Sequence, residues 1–250
     1  MQTRWTNHEA IAFAETVSGA PSNLITACRG WTAHDVLAHA VAGGGEIARL
    51  VGIHLAGDPV PSTISFEDRE PAFRALPYDD LVTLVSAGGI FDLLAAMAEK
   101  NGSLEFTGWE MNADTLALHV RSELAMHRWD IAGSDPTSIE LLSQPDLTAH
   151  AIRAINHFDF INERAAARTR RAGVAPLDVR LRVKGEPDVI IRASTESTEL
   201  CLAEPDDSPA LITDAAARLL MLWGRQPPAA HRSTTGIDNA TLVSLQNWLY

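Results

Sequence analysis

The stretch SELAMHRWD, residues 122–130, places Glu123 four residues before His127. On an α-helix that interval brings both side chains to one face, where a carboxylate oxygen and an imidazole nitrogen can share a metal ion at about 2.0 to 2.2 Å. The same interval is common on exposed helix faces, where it gives a weak surface pair. The flanking Leu124, Met126 and Trp129 point to a buried helix, and a buried carboxylate without a cation or hydrogen bonds is costly. A helix near 112–133 is therefore predicted, packed inside a bundle and offering two ligands.

Two ligands from one helix leave the far side of a metal open, so a third is expected from a facing helix. WTAHDVLAHAVAGGG (31–45) supplies His39 as the leading candidate. Asp35, one turn earlier, is expected to hold its second ring nitrogen; a core histidine satisfied by a backbone carbonyl is the other reading. His119, one turn before Glu123, is the substitute ligand, with a partly buried structural role as its alternative. Asp130 reads equally as an acceptor behind His127 or as the ion-pair partner of an arginine. Gly43, Gly44 and Gly45 cost about 1 kcal/mol each relative to alanine inside a helix, which suggests close approach of a neighbour or a bend.

Outward from these segments, apolar residues recurring at three and four predict helices near 7–18, 32–55, 78–100, 112–133 and 145–172. Thr32 is a good N-cap for the second. The segment 57–77 carries Pro59, Pro61, Pro71 and Pro77 and reads as a connection, a lid or crossover. After Gly173 the period changes to two: LDVRLRV (177–183), DVIIRAS (188–194) and TELCLAE (198–204) predict an antiparallel meander with a turn at Gly185-Glu186-Pro187. Asp214 is expected to cap an apolar helix, and a last helix near 238–249 ends the chain. The expected domains are 1–172, helical, and 173–250, α/β.

The 250 residues carry 20 basic and 32 acidic side chains, a formal charge of −12, which disfavours nucleic acid and anionic lipid as partners. The basic cluster Arg164, Arg168, Arg170 and Arg171 reads as a helix end complementing its dipole. Neither a signal peptide nor a stretch of about 18 uncharged apolar residues is read in the sequence, and a cytoplasmic protein is expected. Cys28 and Cys201 form no CxxC pair and read as small buried apolar side chains. Trp129 and Trp223 read as core residues.

The sequence resembles the mycothiol-dependent maleylpyruvate isomerases and their wider DinB-like relatives. The resemblance rests on GWTAHDVLAHAVAGG (30–44), on ELAMHRWDIAG (123–133) and on LITDAAARLLMLWGRQP (211–227), and it covers nearly the whole chain. It implies a DinB-like four-helix metal-binding bundle followed by a small sterol-carrier-like α/β domain with an antiparallel sheet. The family's histidine, glutamate and histidine ligands fall on His39, Glu123 and His127, and its active-site arginine falls on Arg225. Two nitrogens and one carboxylate leave an open position, as in catalytic zinc sites. The implied cofactors are a divalent metal ion, zinc first, and mycothiol, a low-molecular-weight thiol that adds to a small electrophilic substrate. Isomerisation and S-transfer both follow from that chemistry. A non-catalytic metal- and ligand-binding protein of the same fold is the alternative. Hydrolysis by a metal-bound hydroxide is a further one, though no HExxH motif is present to supply the usual base.

Overall fold

The computed structural model describes residues 7–158, 177–194, 196–228, 232–238, 240–242 and 245. The chain forms two compact units, Met1–Ser138 and Ile139–Tyr250.

The first unit is a helical bundle of α1 (His8–Gly19), α2 (Ala33–Ala56), α3 (Phe66–Arg74), α4 (Tyr78–Ala87), α5 (Ile90–Glu99) and α6 (Ala113–Ala132), with a hairpin of β1 (Ser103–Phe106) and β2 (Trp109–Asn112) before α6. Phe13, Val17, Leu37, Leu50, Leu94, Met97 and Leu116 are fully buried and form its core. Thr32 caps α2 through a capping box: its hydroxyl accepts from the Asp35 N–H while the Asp35 carboxylate accepts from the Thr32 N–H. Asn112 caps α6 in the same sense, accepting from Thr115.

Three features depart from the sequence reading. The segment 57–77, expected as a connection throughout, contains α3. The Ser65 hydroxyl accepts from the Asp68 N–H and donates to the Asp68 carboxylate; this N-cap, with acidic residues in the first turn, sustains the helix although Pro71 removes one donor. The helix expected over 78–100 is broken into α4 and α5 because Gly88 and Gly89 both adopt positive φ, 62° and 96°. The β1–β2 hairpin was not anticipated. Its two-residue turn puts Thr107 and Gly108 at φ 54° and 79°, the twist that a tight hairpin favours, while Leu104 and Phe106 point inward.

Gly43, Gly44 and Gly45 of α2 lie beside different neighbours. A Cβ on Gly43 would meet Arg69, on Gly44 Ile90, and on Gly45 Phe73, at 4.0, 4.0 and 3.8 Å. By length and mean hydropathy α2 and the run 78–99 reach what a membrane span needs, though neither is an uncharged apolar stretch. In α2, however, Val36, Leu37, Ile47, Leu50 and Val51 are buried in the bundle, and the second run is interrupted at its two glycines.

α7 (Pro136–Leu142) leads into the second unit, which holds α8 (Pro145–His157), β3 (Leu177–Arg182), β4 (Asp188–Ala193), β5 (Thr198–Ala203), β6 (Ala210–Thr213), α9 (Ala215–Leu222) and β7 (Arg232–Thr235). The expected antiparallel meander is β3–β4–β5, with Val189 opposite Leu181 and Leu202. β6 adds to β3 in parallel and β7 to β6 in antiparallel sense, giving a mixed sheet ordered β5-β4-β3-β6-β7. Asp214 caps α9 as expected, accepting from the Ala217 N–H. α8 packs on β5 and α9, and the Asn156 amide brackets the Leu200 backbone at 2.7 and 2.8 Å. α8, expected in the first domain, thus belongs to the second compact unit. The change of period at 173, the arginine cluster at 164–171 and most of the last helix lie outside the described residues.

Candidate metal centre

α6 carries Glu123 and His127 on one face, and α2 brings His39 against them. Nε2 of His127 and Nε2 of His39 lie 3.5 and 3.7 Å from the same Glu123 oxygen, Oε2. The ligand atoms of the three residues all fall within 4.8 Å of one another, and the two distances to Glu123 approach the separation of about 3.3 Å that bonds of 2.0 to 2.1 Å impose in a tetrahedral site. The imidazoles meet edge to face, with centroids 5.0 Å apart.

Each histidine is held from behind by a carboxylate. Nδ1 of His127 donates to Asp130 at 2.9 Å and Nδ1 of His39 donates to Glu70 at 2.5 Å. With protons on both Nδ1 atoms, both Nε2 lone pairs would be free to ligate a metal held between the rings and Glu123. This is how metal-binding histidines are oriented and made more basic. Burial disfavours the His39 imidazolium, but the hydrogen bonds and charges of Glu123 and Glu70 outweigh it and raise its pKa to about 9. Burial opposes the Glu123 charge as well, and the hydrogen bonds to His127 and His39 still hold its carboxyl well below the usual range. A partly buried carboxylate facing two imidazoles favours positive charge between them. The donor set, two nitrogens and one oxygen, fits a divalent cation with one position left for another ligand.

The expected partner of His39 is corrected. Asp35 is engaged in the α2 cap and pairs with Arg74, so the ring is held instead by Glu70 from α3, 31 residues away in sequence. Arg74 also pairs with Glu70 at 2.9 Å and lies over the Trp31 ring at 4.8 Å. Trp31 in turn packs beside both imidazoles, 5.2 Å from His39 and, nearly parallel, 6.4 Å from His127. Glu70 and Arg74 were missed because 57–77 read as connection; the pattern Ser65-x-x-Asp68 ahead of Glu70 was the available signal. Trp31 was read only as the residue before the Thr32 cap. His119 is outside the three-ligand group and packs against Phe106 at 5.5 Å. Cys28 and Cys201 are partly exposed, not buried as expected, and neither is in the group. Arg225 lies in the second unit just past α9, where its guanidinium donates to the Trp223 carbonyl at 3.0 Å.

A helical bundle that gathers two imidazoles and a carboxylate from facing helices, followed in sequence by a small mixed-sheet unit, frames the candidate site. The family model of the mycothiol maleylpyruvate isomerase N-terminal domain matches residues 6–132, and the chain belongs to that family. The fold is similar to the crystal structure of the mycothiol-dependent maleylpyruvate isomerase, with a TM-score of 0.58 at 13% identity over 91% of this chain and 88% of that one. It is similar also to a histidine-to-alanine mutant of that isomerase, with a TM-score of 0.56 at 13% identity and the same coverage. No curated protein sequence matches the chain.

Proposed function

We propose that the chain is a metal-dependent and mycothiol-dependent enzyme that adds a thiol to a small electrophilic substrate. His39, Glu123 and His127 would hold one divalent ion, zinc being the metal this donor set suits. The observation that carries the reading is the convergence of two Nε2 atoms on Glu123, each imidazole fixed from behind by Glu70 or Asp130. When bound, the metal supplies a Lewis acid that keeps a thiol deprotonated at neutral pH. Because neither Cys28 nor Cys201 is among the converging ligands, the thiol is a cosubstrate.

The protein's residues do the remaining work. Trp31 packs beside both imidazoles, and Arg74 beneath it fixes Glu70. Arg225 offers a bidentate fork for a substrate carboxylate. Addition of the thiolate sulfur to one carbon of a cis alkene leaves a single bond about which the adduct rotates; elimination then returns the thiol and the trans alkene. A transferase stops at the protonated adduct. Both outcomes use the same ligands.

The test is cobalt substitution followed by mycothiol. One equivalent of cobalt should bind, and its visible spectrum should change when mycothiol is added. His39→Ala, Glu123→Ala and His127→Ala should each lose tight binding, while His119→Ala should keep it. Tight binding that persists in His39→Ala would refute the ligand set. A cobalt spectrum indifferent to mycothiol would refute the thiol reading and favour a metal-binding protein without this chemistry.

A further inference from the structure

Next to Glu70 on α3, Arg69 is partly buried, and its charge has no carboxylate partner among the described residues. Nη1 donates to the Ile64 carbonyl at 2.8 Å. Nε is buried without any acceptor, and an unsatisfied buried donor on a charged group is costly. Nη2 lies 4.0 Å from where a Cβ would stand on Gly43. Gly43 is one turn after His39 on the same face of α2, about 6 Å along the helix axis. The guanidinium therefore stands beside Gly43, one turn from a candidate metal ligand.

The carboxylates around Arg69 do not explain it. Its charge is felt by Glu70, Glu46, Glu123 and Glu67. Glu70 is engaged by His39 and Arg74, Glu46 by Arg49 at 2.7 Å and by the Ile64 N–H, and Glu123 by the two imidazoles. Glu67 is exposed to solvent. None comes within ion-pair distance, so the local charges balance without Arg69. A planar cation partly withdrawn from water beside the candidate metal site, with a buried donor unsatisfied, suits a planar anion.

We infer that Arg69 binds a carboxylate of the small electrophilic substrate, one helical turn from His39 and within the first unit itself. That the ligand is a substrate rests on the function proposed above; the anion site rests on the first unit alone. The probe is maleate, a cis-alkene dicarboxylate, with dimethyl maleate as the uncharged control, titrated calorimetrically without thiol into the cobalt-loaded and the metal-free full chain. Wild type should bind maleate and not the diester. Arg69→Gln should weaken maleate at least tenfold, and Arg69→Lys several-fold, because a point charge replaces the fork. The cobalt spectrum before maleate should be the same in all three proteins. Equal maleate affinity in wild type and Arg69→Gln, or no maleate binding by wild type, would overturn the inference. A cobalt spectrum altered by both substitutions before maleate would make Arg69 a structural cation and overturn it too. A chain that takes up no cobalt yet binds maleate through Arg69 would sink the metal reading and leave this inference standing.

Discussion

Glu70 and Asp130 accept from the Nδ1 atoms of the two histidines whose Nε2 atoms face Glu123. Removing such a partner costs metal affinity without removing a ligand, typically 10- to 100-fold. Glu70→Ala and Asp130→Ala should each weaken cobalt binding by about that factor in chelator competition, while one equivalent still binds at saturation. Affinity unchanged in both would mean that the rings are positioned by packing alone. Legibility at this scale followed sequence distance. Glu123 and His127 declare themselves by a four-residue interval, and His39 by its place in a capped helix. Glu70 acts across 31 residues from a segment with four prolines, and no local spacing links it to His39. Asp35 is the instructive miss: one turn from His39, it is spent on the Thr32 cap and on Arg74.

Among the elements, α3 matters more than its nine residues suggest, since it places Glu70, Arg69 and Arg74 together. Losing a serine N-cap costs about 1 kcal/mol, and in a helix that short the effect reaches every turn. Ser65→Ala should therefore lower the melting temperature slightly and weaken cobalt binding severalfold, although Ser65 touches none of the three ligands. A lower melting temperature with unchanged cobalt affinity would show that α3 holds Glu70 without its cap. The other end of α6 has a pH signature. The Arg128 guanidinium, with the Ser138 N–H, holds the Asp135 carboxyl down at about 2. A carboxyl depressed in the folded state stabilises above its ordinary value near 3.8 and loses that contribution as pH falls toward 2. Wild type should lose stability relative to Asp135→Asn between about pH 4 and 2, and parallel acid melting curves would contradict this. Periodicity revealed the long helices and the meander because their apolar faces are continuous. It failed where backbone geometry decides: at Gly88-Gly89, in the Thr107-Gly108 turn, and in β6 and β7, whose four residues each are too few to show a period.

At the scale of the whole molecule, the candidate metal ligands belong to the first unit and Arg225 to the second. Turnover should require an added low-molecular-weight thiol and should survive Cys28→Ser with Cys201→Ser, because neither sulfur is among the converging ligands. Full turnover of maleylpyruvate by that double variant without thiol would leave hydrolysis by a metal-activated water as the better account. Arg225 tests whether the second unit takes part in the chemistry. In one account its guanidinium receives a substrate carboxylate; in the other it only closes the end of α9, where it donates to the Trp223 carbonyl, and a cation at a helix C-terminus is worth about 0.3 to 1 kcal/mol. Arg225→Lys keeps the charge and abandons the fork. If the fork matters, kcat/KM should fall at least tenfold, while cobalt affinity and melting temperature stay at wild-type values, since the ligands belong to the other unit and the helix end keeps a cation. If Arg225 serves only α9, lysine should be nearly silent in all three measurements, and Arg225→Ala should lower the melting temperature while leaving kcat/KM alone.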